Sequence, residues 1–202
     1  MSRLTGSAAV AVLAAALVGA CTGTPTIYNR QVLPNYTVAE YAYGAGRRDL
    51  YTFVRGDPFG MGDAAFEGAV IDALNRHPPL PQPTRFTATP GESARPPYRT
   101  VVLFGAPPAV LPNALCRLSY DESGPVPVAA PAAAENGTLR AAAAFCRGAG
   151  ALTTATGQVE GVESVADPGF DALISQLVLA LFPLENMDRD RGRCRPATAG
   201  DC

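Results

Sequence analysis

Side chains suited to acid–base chemistry are few in this chain of 202 residues, which has one histidine and no lysine. Histidine is the usual general base near neutral pH, and His77 follows a predicted helix in the run Arg76-His77-Pro78-Pro79. A cation there interacts favourably with the helix C-terminus. A catalytic histidine also needs a nucleophile and an orienting acid, and no Gly-x-Ser-x-Gly motif supplies one. A helix-end role therefore explains His77 better than catalysis does.

Two short segments suggest ligand-binding motifs but have the wrong spacing. Residues 56–62 form a Gly-rich loop before a predicted helix, a place where phosphates bind. The spacing is not G-x-G-x-x-G, no Gly-Lys-Ser/Thr follows, and Asp57 and Asp63 would repel an anion. Residues 188–192 resemble a calcium loop, but its twelfth position is Ala199 rather than Glu. We therefore predict no catalytic, cofactor-binding or metal-binding residue.

The N-terminus has the layout of a secretory signal. Arg3 is the only charge before the thirteen residues from Ala8 to Ala20, which are Ala, Val, Leu and one Gly. A membrane-spanning helix needs about 20 apolar residues, so this run is too short to cross a bilayer. It fits the apolar centre of a signal peptide.

The signal ends in Leu17-Val18-Gly19-Ala20-Cys21, which resembles the lipobox of bacterial lipoproteins. The resemblance implies cleavage before Cys21 and acylation of this cysteine, with palmitate among the acyl chains. The acyl chains would attach the protein to the lipid bilayer in the cell envelope. Residue 22 is Thr rather than Asp. In this respect the chain is similar to bacterial lipoproteins that are retained at the outer membrane, where they face the periplasm. The rest of the chain is similar to small envelope lipoproteins of Gram-negative bacteria, and that likeness implies no activity.

Four cysteines remain after Cys21, an even number that favours disulfides in an exported chain, with three connectivities. They lack the close Cys-x-x-Cys spacing of zinc and redox sites. Cys146 lies at the end of a predicted hairpin strand and Cys116 just beyond a predicted central strand, while Cys194 and Cys202 are close in sequence. We predict the pairs Cys116–Cys146 and Cys194–Cys202.

In the first half of the predicted domain, the sequence predicts a hairpin and a helix. Residues 36–43 and 48–55 are β-prone runs around the turn Gly44-Ala45-Gly46. A helix should begin near Asp63, a good N-cap, and end before the prolines of residues 78–83. The proline-rich stretches 77–83 and 95–108 could present polyproline II surfaces, although stiff loops are the simpler interpretation.

The second half predicts a central strand, a second hairpin and a second helix. Residues 98–104 include Val-Val-Leu-Phe, a run typical of a strand buried on both faces. Residues 139–147 and 151–159 flank Gly148-Ala149-Gly150 and favour a hairpin, although the four alanines from Ala141 could instead form a helix. Asp167-Pro168 opens a helix with a broad apolar face, which Pro183 ends.

These elements predict the α+β class: a two-layer sandwich of a roughly five-stranded, mostly antiparallel sheet with two amphipathic helices on one face. The predicted units are a signal peptide (1–20), a lipidated tether (21–35), one domain (36–183) and an irregular charged tail (184–202).

Composition narrows the function classes. Removal of Arg3 with the signal takes the formal charge from −2 to −3, and nothing suggests the clustered basic face that nucleic-acid binding needs. The leading hypothesis is a non-enzymatic envelope lipoprotein that binds an envelope protein partner. A carrier of small ligands or lipids, with an apolar cavity between sheet and helices, is the second hypothesis, and a hydrolase is the third.

Overall fold

The computed structural model describes residues 23–108, 110–118 and 137–184. It contains a six-stranded mixed sheet and four helices, so the predicted α+β class is confirmed. The elements in chain order are β1 (Thr26–Val32), α1 (Val38–Gly44), β2 (Asp49–Arg55), α2 (Asp63–Arg76), β3 (Arg85–Thr87), β4 (Tyr98–Phe104), α3 (Pro112–Leu118), β5 (Thr138–Arg147), β6 (Gly150–Glu160) and α4 (Pro168–Leu181).

The sheet has the strand order β1-β6-β5-β4-β2-β3. β2 is parallel to both β3 and β4, whereas β4–β5, β5–β6 and β6–β1 are antiparallel. β2, β3, β4 and β6 therefore run in one direction. We call the end at which these four strands begin the lower end, and the end at which they finish the upper end.

β4 contributes to the core on both of its faces, because all seven of its residues are buried. On one face, Val102 and Phe104 belong to the main core, to which α1, α2 and α4 contribute. On the other face, Val101 and Leu103 belong to a smaller cluster with residues of α3. The central position predicted for β4 is confirmed, and α2 and α4 share one face. The predicted two-layer sandwich was incomplete, because α3 packs on the other face of the sheet.

The predicted sheet was wrong in strand number and direction. The sheet has six strands rather than about five, and it is mixed because α2 carries the chain from β2 to β3, which pairs in parallel with β2. β3 has three residues, too few to show an alternating pattern. The second predicted hairpin is present as β5 and β6, and the alanines from Ala141 lie in the strand.

The predicted strand over residues 36–43 was wrong, and so was its hairpin with β2. This segment contains α1. The Thr37 hydroxyl accepts a hydrogen bond from the Glu40 amide at 2.9 Å, as an N-cap does. The Thr-x-x-Glu spacing is the capping-box signature, and it was the local signal that the alternating tyrosines concealed.

The predicted tether over residues 21–35 was also wrong in its central part, because residues 26–32 form β1 at the edge of the sheet. The register of β1 shifts between Tyr28 and Gln31, and Asn29 between them has φ of 50°. This irregularity explains why the sequence of an ordered strand lacks a period of two. The predicted signal peptide and residues 185–202 of the predicted tail lie outside the described residues.

Candidate binding site at the lower end of the sheet

The loop between β3 and β4 is fixed to the sheet by one carboxylate. Asp49, at the start of β2, is 8% exposed. One of its oxygens accepts from Arg85 Nε at 2.8 Å, and the other accepts from an Arg85 terminal nitrogen at 2.9 Å and from the Gly91 amide at 2.8 Å. The Asp49 amide donates to Ser93 Oγ at 3.0 Å. β2, β3 and the loop are thus joined at one residue.

These contacts stabilise the ionised form of Asp49. The Arg85 guanidinium, followed by the Gly91 amide, holds the pKa of the Asp49 carboxyl well below its usual range despite the opposing effect of burial. A carboxyl whose pKa is lower in the folded than in the unfolded chain stabilises the fold above the unfolded pKa, and this contribution is lost as the pH falls.

We expect Asp49→Ala to lower the free energy of unfolding by about 2 kcal/mol at pH 7, because bonds to a charged acceptor are lost. Since the ordinary pKa of an Asp carboxyl is 3.8, the difference in unfolding free energy between variant and wild type should shrink below about pH 4. Urea denaturation at pH 7 and pH 3 measures both effects. Asp72→Ala, which removes an exposed carboxylate of α2, should show neither. An equal Asp49→Ala difference at both pH values would contradict the assignment.

A second polar cluster joins α1 to the lower end of the sheet. The Tyr98 hydroxyl donates to Glu40 Oε1 at 2.6 Å, and Arg147 donates to the same oxygen at 2.6 Å. Burial and the hydrogen bond to Glu40 raise the pKa of Tyr98. The Arg95 guanidinium lies over the ring of Tyr43, 4.3 Å from its centroid, and donates to its hydroxyl at 3.2 Å. Arg95 therefore ties the loop to α1.

Between this loop and strands β2 and β4 lies a pocket of about 400 Å³. A volume of this size is within the range of small-ligand sites. Its walls are mostly apolar and combine proline, alanine and tyrosine side chains with one arginine. The described lining residues are Tyr51, Pro90, Ala94, Pro96, Pro97, Tyr98 and Arg99.

Arg99 connects the pocket to the disulfide. It is 5% exposed, and its guanidinium donates to the carbonyl oxygens of Cys116 at 2.6 Å and Gly148 at 2.9 Å. Cys116 is bonded to Cys146, the pairing that the sequence analysis favours. α3, the β5–β6 turn and the pocket therefore share one charged side chain.

The pocket was not predicted from the sequence, because its walls come from β2, β4 and the loop before β4. The signal that existed was the proline-rich stretch 95–108, whose first residues line it. This stretch is compatible with a polyproline II surface, but nothing local indicates that Tyr51 lies opposite these prolines. Pairing of β2 with β4 places it there, since Tyr51 is the register partner of Arg99.

The structure places His77 away from this pocket's described lining. Its Nε2 lies 2.7 Å from Asp171 Oδ2, and Arg76 Nε donates to the other oxygen of Asp171 at 2.8 Å. Burial raises the pKa of Asp171, but hydrogen bonds from His77 and Arg76 outweigh it, so the net direction is downward. These contacts join the end of α2 to the first turn of α4. The sequence predicts an interaction of His77 with the end of its own helix and does not predict the contact with Asp171.

The Gly-rich loop at residues 56–62 is a closed turn. The Asp57 carboxylate accepts from the amides of Phe59 at 3.1 Å and Gly62 at 2.6 Å. It thereby uses amides that an anion would need. Cys21, Cys194, Cys202 and the calcium-like segment 188–192 lie outside the described residues, so lipidation and the second disulfide stay predictions.

Comparison with protein families, with curated proteins and with solved structures finds no match to this chain. Within residues 23–118 and 137–184, position 109 aside, no group of three or more His, Cys, Asp or Glu side chains is arranged to hold a metal ion. In the same part of the chain no helix has the length and apolarity needed to cross a bilayer.

Proposed function

We propose that this protein is an envelope lipoprotein, acylated at Cys21 on an outer membrane and facing the periplasm, that acts without catalysis by binding an envelope protein at its lower end. The observation that carries the proposal is the separation of two features. Gly23, two residues after Cys21, pairs with Glu160 at the upper end, whereas the pocket lies at the lower end. An anchored molecule therefore presents the pocket away from its lipid.

The lower end has features suited to a protein partner. Tyr43 is 56% exposed, yet its ring is held by Arg95 and lies against Tyr98, with ring centroids 6.1 Å apart. A fixed, exposed tyrosine beside a mostly apolar pocket offers large contact area at little cost in conformational entropy, and tyrosine and arginine are enriched at binding hot spots.

Anchoring is tested by labelling cells with a fatty-acid analogue. The wild type should be labelled and should sediment with membranes, whereas Cys21→Ala should lose the label, because the acylated thiol is gone. Cys202→Ala is the matched control and should label like the wild type. Equal labelling of Cys21→Ala and wild type, or a mature N-terminus other than Cys21, would rule out the lipoprotein assignment.

Binding is tested by a photo-crosslinking amino acid placed at Tyr43 in intact cells. The control position is Leu179, an α4 residue 62% exposed and outside the described lining of the pocket. We expect a reproducible crosslinked envelope protein from position 43 and none from position 179. The same product from both positions, or none from position 43, would count against a partner at the lower end.

A second candidate is a carrier of a small apolar ligand, which the pocket volume of about 400 Å³ favours. The space between sheet and helices is less suitable, because aromatic rings occupy it. Phe66 and Phe104 have centroids 4.8 Å apart, and Phe145 and Phe182 are separated by 5.2 Å. Native mass spectrometry of protein purified from cells distinguishes the candidates, since a carrier retains a small molecule that a protein-binding module lacks.

A further inference from the structure

We infer that the upper end of the sheet lies directly against the lipid headgroups, with no flexible tether between anchor and domain. This inference rests on the proposed acylation of Cys21. The Gly23 amide donates to the Glu160 carbonyl at 3.0 Å, and from Thr26 the chain is paired with β6. Two residues span at most about 7 Å, so the acylated residue can lie no farther than that from the sheet.

β1 cannot readily detach to lengthen this connection, because it is packed into the domain. Ile27 is partly buried against the main core, opposite Gly157. A β-carbon on Gly157 would lie 2.6 Å from Ile27 Cδ1 and 2.7 Å from Leu173 Cδ1. The absence of a side chain at Gly157 lets Ile27 and α4 meet over β6, so releasing β1 would expose apolar surface.

The upper end carries a side chain suited to the membrane interface. Met61, 44% exposed, lies in the loop after β2, which Asp57 closes through the Gly62 amide. Glu160 and Glu163 are exposed near the anchor. These carboxylates repel anionic lipid, and Arg55, exposed at the end of β2, offsets part of this repulsion.

The test uses the full acylated protein in vesicles of equal parts phosphatidylethanolamine and phosphatidylcholine, with a nitroxide on a fraction of the headgroups. A fluorescent amino acid replaces Met61 in one variant and Tyr43 in another. β4 separates the two ends by roughly 20 Å. We expect position 61 to lose most of its fluorescence and position 43 to keep it. No quenching at position 61 in protein that floats with the vesicles would overturn the inference.

A lengthened variant provides the matched control. Ten Gly/Ser residues inserted between Thr22 and Gly23 leave the lipobox intact and add a coil of roughly 17 Å root-mean-square length. Quenching at position 61 should then fall, while flotation stays unchanged. Equal quenching with and without the insert would show that the length of the connection between Cys21 and Gly23 does not determine how close the upper end lies to the headgroups, and it would overturn the inference. Protein that lacks the lipid by mass and fails to float would instead refute the proposed acylation, which separates the two failures.

Discussion

Phe66→Ala is expected to lower the free energy of unfolding by about 3–5 kcal/mol, the range found when a buried phenylalanine is truncated. Phe66 is 1% exposed and lies among the rings of Phe59, Phe104 and Phe170 at centroid distances of 5.9, 4.8 and 6.3 Å. Three facing rings restrict collapse of the space that the mutation opens. Urea denaturation measures the loss, and Leu179→Ala, on the exposed face of α4, should change stability by less than about 0.5 kcal/mol.

The same variant bears on the function. A cavity lined by Phe59, Phe104 and Phe170 should stay dry and accept a molecule such as benzene, as engineered apolar cavities do. Titration followed by thermal melting should show stabilisation of Phe66→Ala by benzene and none of the wild type. Equal stabilisation of both would mean that the wild type already has room for an apolar guest, in its core or in the pocket at the lower end, which would favour the carrier.

The elements that could be predicted are those whose local pattern and tertiary environment agree. β4 is buried on both faces, as its run of apolar residues predicts. α4 begins after Asp167 with proline in its first turn, and its apolar stripe faces the main core. In these segments the local preference and the packing point to the same structure.

Two elements that the sequence did not predict, β1 and β3, depend on distant partners. β1 is ordered by β6, although its own sequence is irregular around Asn29. β3 is ordered by β2, and three residues carry no period. α1 was misassigned because its tyrosines alternate, whereas Tyr41 is the position at which the helix enters the core. The edge strands take their structure from the sheet, which sequence patterns do not show, whereas α1 had a local signal in the capping box of Thr37 and Glu40.

The candidate site also has parts that could be predicted from the sequence and parts that could not. The Cys116–Cys146 pair could be predicted because cysteines are few and the strands beside them were recognised. The pocket could not, because Tyr51 meets Arg99 only through the parallel pairing of β2 with β4. Asp49 was not among the predicted site residues, because nothing in the sequence shows that Gly91 and Ser93 return to it.

Cys116→Ser/Cys146→Ser should lower the free energy of unfolding by about 3–4 kcal/mol, because the bridge closes a long loop and restricts the unfolded chain in the chain-entropy model. The two cysteines are separated by 30 residues. The double substitution should also destabilise the folded state, since the buried Arg99 guanidinium donates to the Cys116 carbonyl at 2.6 Å. Release of α3 would leave that guanidinium with one carbonyl fewer, and a buried charge that loses a partner is costly.

Urea denaturation with and without reductant measures the contribution of the bridge. Reductant should destabilise the wild type at least as much as the double substitution does. Any destabilisation of the double variant by reductant measures the predicted Cys194–Cys202 bridge, whose shorter loop gives a smaller effect. Cys194→Ser/Cys202→Ser is the matched control, because it should keep the part of the sensitivity to reductant that belongs to the 116–146 bridge. A loss below about 1 kcal/mol would mean that the unfolded chain is already compact across this loop. The packing of α3 on β4 and β5, rather than the disulfide, would then keep the Cys116 carbonyl against Arg99.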